Sequence, residues 1–554
     1  MAGPRFDRRQ LMAGAAGAAV LAGAGSVAGC SSATTSKNTS AANTAVALPT
    51  FKAYEGVKPD LAATNTGVTP GFFGYPKDRP ASVAEKPGSG GDPITAIVQL
   101  YVAPPPTPPK NEYWAQRNAK LGVDVNLQMV PIADYPQKFA TTIAGNELPD
   151  FVQLAATQDM PGLLASKFAD LTEYLSGDAV LEYPNLANIA TRTWKPTVYN
   201  SGIYGVPIPR GAIGAFVFCR KDLYAKAKAS TSPSSYAEFI DGCKALTDPA
   251  KRRWSYGQVG SMQNTVATMN SVPNGWRAEN GKLTNALETD EYATTIGQMI
   301  DIWKSGVMHP DAFNTAAPFK QWFTGGTIAT AYDGYLAWNQ YYVDGQATPG
   351  FAIDLMTIPK HDGGGLAPWS LGSGFYSVGA IKKAAPDRIK EILRVANYLA
   401  APFGTAEHFF GSFGIEGRDY TIGSNGEPTL TKAGQVELTA QFGYIASPPP
   451  VLYSPGRPAA DIKLEHAYME KEVPVGISNP VVGLYSDTDS GKGATINKTF
   501  GDAVNEIIQG RKPVSTLSDL ISTWRKAGGD KVRSEYESQL QAAGGSSATP
   551  TPTK

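Results

Sequence analysis

The apolar and polar positions of this chain fall into short blocks, and the period changes from one block to the next. Pro93 to Val102, PITAIVQLYV, is an apolar run bounded by glycine and proline, the pattern of a buried strand. The APPPTPPK that follows predicts a loop, because consecutive prolines cannot continue a sheet or open helix bonding. NEYWAQRNAKLG then reads as a helix, VDVNLQMVPI alternates as a second strand, YPQKFATTIAGNELPD returns to helix and FVQLA is a third strand. This rhythm predicts a parallel sheet with helices on both faces, and such sheets bind ligands beyond the carboxyl ends of their strands. Those ends point to Tyr101 in the first loop and to Thr157 and Gln158 in the third.

A second alternating region begins near AIGAFVFCRKDLYAKA. It continues through the helix-like SYAEFIDGCKALTD and TDEYATTIGQMIDIWKSG to a strand at GTIATAYDG. From Phe375 the strand FYSVGAI leads into the amphipathic helix PDRIKEILRVANYLAA, and the tail is mainly helical with a break from Gly510 to Pro513. Residues 31–91 are dominated by Ser, Thr, Ala, Pro and Gly with few side chains able to anchor a core, and predict a flexible tether and N-terminal extension. The end, 542–554, reads as disordered, and no repeat at a fixed period is visible.

Ahead of the tether, Arg8 and Arg9 precede an uncharged Ala/Gly-rich run that ends in Val27, Ala28, Gly29 and Cys30. A spanning helix wants about 20 strongly apolar residues; this weak run with small residues at its end is laid out as an export signal instead. The ending resembles a bacterial lipobox, which makes Cys30 a lipidation site. DRRQLM resembles a twin-arginine signal, except that Asp7 stands where Ser or Thr is usual. The expectation for 1–30 is a lipoprotein signal, with the mature chain tethered outside the cytoplasmic membrane through lipid at Cys30. Lys+Arg and Asp+Glu cancel at 49 each, so nothing favours nucleic acid or an acidic membrane surface. Cys219 and Cys243 could pair in an oxidising compartment or remain buried thiols.

The motifs GNELPDFVQL, GIYGVPIP before FCRKDLYAKA, GVMHPDAF, AYDGYLAWNQ, FFGSFGIEGRDYTI and VNEIIQGRKPVSTLSDLISTWRKAGGDKVRSEYE stand in this order over about 93–540. Together they resemble the extracellular solute-binding lipoproteins of bacterial carbohydrate ABC importers. The last two resemble in particular a subgroup associated with aldouronate and related plant-polysaccharide fragments. The resemblance implies an α/β fold of the periplasmic-binding-protein type, two lobes joined by a hinge with a ligand cleft between them. Carried onto this chain, lobe one would hold 92–211 and 373–454, and lobe two 212–372 and 455–541. The first crossing would be VPIPRGAIG, stiffened by Pro207 and Pro209 and loosened by Gly211 and Gly214. The implied partners are an oligosaccharide and the transmembrane subunits of an ABC permease; a monomer without cofactor is expected.

A pyranose has an apolar C–H face and a rim of hydroxyls, so its site needs aromatic platforms and planar polar side chains. TAYDGYLAWNQYY offers Asp333, Tyr335 and Trp338 just beyond a predicted strand, where a cleft-lining loop belongs. Trp276 stands beside Asn274 and Arg277 in a turn-rich segment, Trp369 precedes a strand, and Arg210 lies where the first crossing would open onto the cleft. The candidate ligand residues are therefore Tyr101, Gln158, Arg210, Trp276, Asp333, Tyr335, Trp338 and Trp369. The competing reading for each ring is a core position, since such rings are usually buried for packing; for Arg210 it is a salt bridge. A secreted carbohydrate-active enzyme would need two carboxylates flanking the scissile bond, and no local pattern singles out a pair. The chain also lacks a G-x-S-x-G elbow and an H-E-x-x-H site, and its four histidines are scattered. A non-transporting sugar receptor would share the same fold. ALTDPAKRRWSYG carries three cations where some relatives place a calcium loop. SDTDSGKGATINK has Gly491 and Lys498 where an EF-type loop needs oxygen ligands, so no metal is expected.

Overall fold

The computed structural model describes residues 38–145 and 147–542, so the export signal, Cys30 and the tail beyond Ala542 lie outside the described residues. Among the described residues no helix is long and apolar enough to cross a membrane.

Strand β1 (Ile94–Leu100) is the apolar run expected: Ile94, Ala96, Val98 and Leu100 bury one face, and on the other Ile97 is buried between exposed Thr95 and half-buried Gln99. Helix α1 (Glu112–Leu121) is started by Asn111, whose side chain accepts from Trp114 N, and stopped by Gly122 in the left-handed region at φ 73°. The Trp114 indole donates to Val125 O at 2.9 Å and so fixes α1 against the next strand, β2 (Val125–Pro131). Helix α2 (Tyr135–Ala144), strand β3 (Phe151–Gln153) and strand β4 (Val206–Pro209) follow.

The chain then enters a second sheet. Its strands are β5 (Ala215–Arg220), β6 (Trp254–Tyr256), β7 (Ile328–Gly334), followed by helix α3 (Ala337–Gly345), and β8 (Ile353–Leu355). It returns with β9 (Phe375–Ile381) and helix α4 (Pro386–Leu399) to the first sheet, whose order is β2-β1-β3-β9-β4. In that sheet β1 is parallel to β2 and β3, while β9 runs antiparallel to β3 and β4. The second sheet has the order β8-β5-β7-β6. Helices α5 (Ala459–Glu472) and α6 (Asp530–Ala542) belong to the tail, and both pack residues into the core around the second sheet. The main chain passes between the two sheets over 210–214 and again over 356–374. It passes a third time before α5, where the first core ends at Ala446 and the second resumes at Leu452.

Three features differ from the sequence reading. Residues 38–91 do not hang free as far as they are described: Val68 and Phe72 are buried, and the segment runs hydrogen-bonded over the body. The stretch after β7 is not a loop but helix α3, whose buried face is Ala337, Trp338, Tyr341 and Gly345. Helix α5 was not foreseen at all. Cys219 and Cys243 are both free, buried thiols, and burial pushes each above its ordinary pKa, Cys243 to about 12.

Candidate functional site

Because β9 is antiparallel to β3, its first residues lie at the same end of the sheet as the last residues of β1. Tyr101 leaves β1 there and is 43% exposed, kept out of the core by the proline-rich loop behind it; Tyr376 arrives there at 37% exposed. Their hydroxyls converge on one acceptor: Tyr101 donates to Gln99 Oε1 at 2.7 Å and Tyr376 to the same atom at 2.8 Å. Gln99 is itself held in line, since its backbone N–H donates to Gln153 Oε1 at 2.8 Å and the Gln153 amide donates to Ser377 Oγ at 2.9 Å. With its oxygen shared by two tyrosines, the Gln99 side chain has its NH2 left to offer a ligand.

A third ring completes the cluster. Tyr444 sits on a short turn anchored by buried Phe442, which packs edge-on against Trp114. Its ring centroid is 5.5 Å from Tyr376 and 5.8 Å from Tyr101, and the latter two are 6.2 Å apart. These are ordinary aromatic contact distances, yet Tyr101 and Tyr376 both remain part-exposed. Arg210, the first residue of the first crossing, lays its guanidinium 4.9 Å from the Tyr376 centroid, and its Nη1 donates to Pro209 O at 3.0 Å. Among the described residues it forms no ion pair. Burial first and Tyr444 next push the Tyr101 hydroxyl up to about 12, with Arg210 opposing, and burial raises Tyr444 against the same cation. Both hydroxyls therefore stay protonated at neutral pH.

Of the residues expected at the site, Tyr101 and Arg210 are thus brought together, and Tyr335 adjoins them. Its backbone N–H donates to Gly214 O at 3.3 Å, its ring lies against Gly211, and it is itself buried and edge-on to Phe216. Gln158 is exposed on the loop after β3, some way along the same sheet end. It packs on Gly491, where any larger residue would collide with its amide, and with Asp487, Lys492 and Lys526 it lines a groove of about 430 Å³. Asp333 is turned to protein partners, accepting from Tyr341 OH at 2.7 Å and pairing with Lys320 at 3.2 Å.

The three tryptophans depart from expectation. Trp338 is 1% exposed, edge-on to Phe218 at 5.8 Å and capped by the Arg457 guanidinium at 4.3 Å. Trp369 is buried between Tyr332, stacked at 6.1 Å, and Tyr468, while Trp276 is buried against Tyr536 at 6.0 Å. Each fills a core, and none presents a free face to a ligand in this structure. Sequence reading also missed Gln99, Gln153, Tyr376 and Tyr444. The signal for Tyr376 was available in the predicted strand FYSVGAI, but not the antiparallel direction that carries it to Tyr101. Another hollow, of about 1030 Å³, lies at the opposite end of the first sheet, beside Thr95, Gln128, Lys167, Lys382 and Lys383. Each of its lysines has a protein partner: Lys167 with Gly145 O, Lys382 with Asp150 and Lys383 with Ala165 O.

Comparison with known proteins agrees with this architecture. Residues 103–402 match the family described as bacterial extracellular solute-binding protein. The polygalacturonan/rhamnogalacturonan-binding protein YtcQ of Bacillus subtilis (strain 168) is 22% identical over 453 residues, which cover 79% of this chain and 89% of that protein. The lipoprotein LipO of the same organism is 21% identical over 480 residues, covering 82% of this chain and 94% of its own. An HMO-binding ABC-transporter-associated solute-binding protein from Bifidobacterium longum infantis superposes with a TM-score of 0.61 at 16% identity, over 82% of this chain and 99% of that one. The fold is thus the mixed α/β one of periplasmic-binding-protein-like receptors, and the family match spans more than half of the sequence. The chain belongs to the bacterial extracellular solute-binding proteins.

Proposed function

We propose that this protein captures an oligosaccharide carrying carboxylate groups between two lobes and hands it to an ABC permease. The lobes are 92–211 with 373–454, and 212–372 with 455–541. The observation that carries the reading is the wall at the end of β1: two part-exposed tyrosines, a third ring behind them, the Gln99 amide, and Arg210 without a carboxylate partner among the described residues. Aromatic faces suit the C–H face of a sugar, and an unpaired guanidinium suits a carboxylate through parallel charge-assisted hydrogen bonds. The name of YtcQ, a binder of acidic plant polysaccharide, supports the same class.

Binding works by population shift. A ligand touching lobe one at Tyr101 and the crossing at Arg210 gains its remaining contacts only when lobe two closes on it, so it favours the closed form by the difference in affinity. No bond in the ligand changes. Calorimetry with oligogalacturonates and with neutral xylo-oligosaccharides of equal length tests the reading. Tighter binding of the acidic series, weakened by salt, is expected; equal affinity for both series would remove the carboxylate from the proposal, and no binding of either would remove the sugar. Anchoring through lipid at Cys30 belongs to the same proposal and draws support from the likeness to LipO. Cys30→Ser should release the protein from the membrane fraction into the medium.

A further inference from the structure

The chain passes between the two sheets three times, but residues 38–91 supply another link that no crossing accounts for. The segment is first fixed to lobe one: Ser176 Oγ donates to Ala47 O at 2.7 Å, Thr50 N to Gly177 O at 3.0 Å and Lys52 N to Ala187 O at 2.8 Å. It then forms a small closed loop, in which Leu61 and Gly71 exchange backbone hydrogen bonds of 3.0 and 2.9 Å. That loop sits on lobe two. Val68 is buried in the core around the second sheet, His466 of α5 bonds Ala62 O at 2.9 Å, and Lys463 lies 5.2 Å from the Phe73 ring.

The same loop grips two of the crossings. Leu452 N donates to Pro70 O at 2.8 Å and Phe72 N to Leu452 O at 2.9 Å, while Thr69 lies against Gly211. Afterwards the segment returns to lobe one, where Phe72 meets Phe403 at 4.4 Å, Tyr75 OH meets His408 Nδ1 at 2.9 Å, and Ser82 and Ser89 donate to Glu407 and Glu391. Both ends of the loop are therefore fastened to one lobe and its middle to the other.

We infer that residues 38–91 form a strap across the hinge that limits how far the lobes swing apart. When the lobes separate, α5 moves relative to lobe one, and the strap, held at both ends, either pulls Val68 out of its core or holds α5 back. The apolar burial of Val68 opposes the first course, while that of Phe72 against Phe403 keeps the strap's return end on lobe one. The strap adds stiffness at the hinge without covering the wall of tyrosines, and it does so whatever the ligand.

Spin labels at Thr141→Cys in lobe one and Lys244→Cys in lobe two, both exposed sites, report the opening by pulsed dipolar spectroscopy. Among the described residues the native thiols, Cys219 and Cys243, are both buried, and Cys30→Ser removes the third cysteine of the chain from the labelling. A protease site inserted at the exposed Glu55 and Gly56 lets the strap be cut in the folded, unliganded protein. Cutting should broaden the distance distribution and shift it to longer values. Should the cut protein lose its circular dichroism, the uncut Gly71→Val variant serves instead: a Cβ at Gly71 already meets Ile462 and Leu61 at 3.1 Å, so valine wedges the loop off α5. Distributions unchanged from the parent in every variant that remains folded overturn the inference. No sugar is present in the experiment, so its failure is separate from failure of the proposed function.

Discussion

A tyrosine directly follows a strand in each sheet, Tyr101 after β1 and Tyr335 after β7, and the two meet opposite fates. After β1 the chain runs into consecutive prolines, which cannot form a helix, so Tyr101 stays at the strand end with its ring in solvent. After β7 only Tyr335 and Leu336 intervene before α3 begins, and the turn of that helix carries Trp338 and Tyr341 inward together. Both segments open alike, Tyr-Val-Ala and Tyr-Leu-Ala, and diverge only at the fourth residue, Pro104 in one and Trp338 in the other. What decides between a binding ring and a core ring is the local backbone after the strand, because an exposed platform needs a segment that cannot coil and bury it.

The sharpest way to break that contrast is Trp338→Ala. If the indole is core, removing it leaves a cavity beneath Arg457 and costs about 3–5 kcal/mol of folding stability. Chemical denaturation measures it, and a variant as stable as the parent would show that the ring is not packing as described.

The core around the second sheet also holds a group that pH exposes. Glu472 on α5 is fully buried, with no hydrogen-bond partner for either carboxylate oxygen among the described residues, and burial pushes it from 4.5 up to about 8, with Lys471 opposing. The folded protein holds this proton where the unfolded chain has released it. Its contribution to stability is therefore fully present below pH 4.5, falls as the pH rises to about 8, and is level above that. Glu472→Gln should flatten that decline and raise the melting temperature at alkaline pH. Glu465, lifted by burial to about 7, retains a smaller slope of the same sign. A melting profile in which the variant and parent run parallel from pH 5 to 9 would contradict the assignment.

For the wall at lobe one the expected loss is in binding rather than stability. Among the described residues the Arg210 guanidinium donates to its neighbour's carbonyl, lies over the Tyr376 ring and pairs with no carboxylate, so Arg210→Ala should leave the melting temperature nearly unchanged. Affinity for an acidic oligosaccharide should fall by about 2 kcal/mol, the worth of a charge-assisted hydrogen bond. Calorimetry on a neutral oligosaccharide supplies the control, because equal losses for both would mean that the guanidinium shapes the site instead of reading charge.

How much of this was legible beforehand follows from the same physics. The first sheet could be read because apolar runs bounded by proline and glycine leave one interpretation, and β1, α1, β2, α2 and β3 appear in the order their periods predict. Helix α5 could not, because its buried face includes Glu465, His466 and Glu472, so no apolar stripe marks it. The strap was hidden for a related reason: Ser, Thr and Pro look solvent-seeking, yet a few buried side chains, Val68 and Phe72 among them, and a series of backbone and side-chain hydrogen bonds seat the segment. Within the site, Arg210 and Tyr101 were visible from their places at a crossing and a strand end. Tyr376 was not, since it meets Gln99 across 277 residues and only the sheet's mixed direction brings them together.

The smallest expected effect separates ring from hydroxyl at the first of these tyrosines. Tyr101→Phe keeps the aromatic face and removes only the donor to Gln99 Oε1, an acceptor that Tyr376 continues to occupy. Because Gln99 therefore remains oriented, the change should cost no more than a neutral hydrogen bond, about 1 kcal/mol. Tyr101→Ala, which also deletes the platform, should cost clearly more in the same calorimetric series. Equal losses in the two variants would mean that the hydroxyl network, and not the face of the ring, holds the ligand, and the wall at the end of β1 would then act by hydrogen bonding alone.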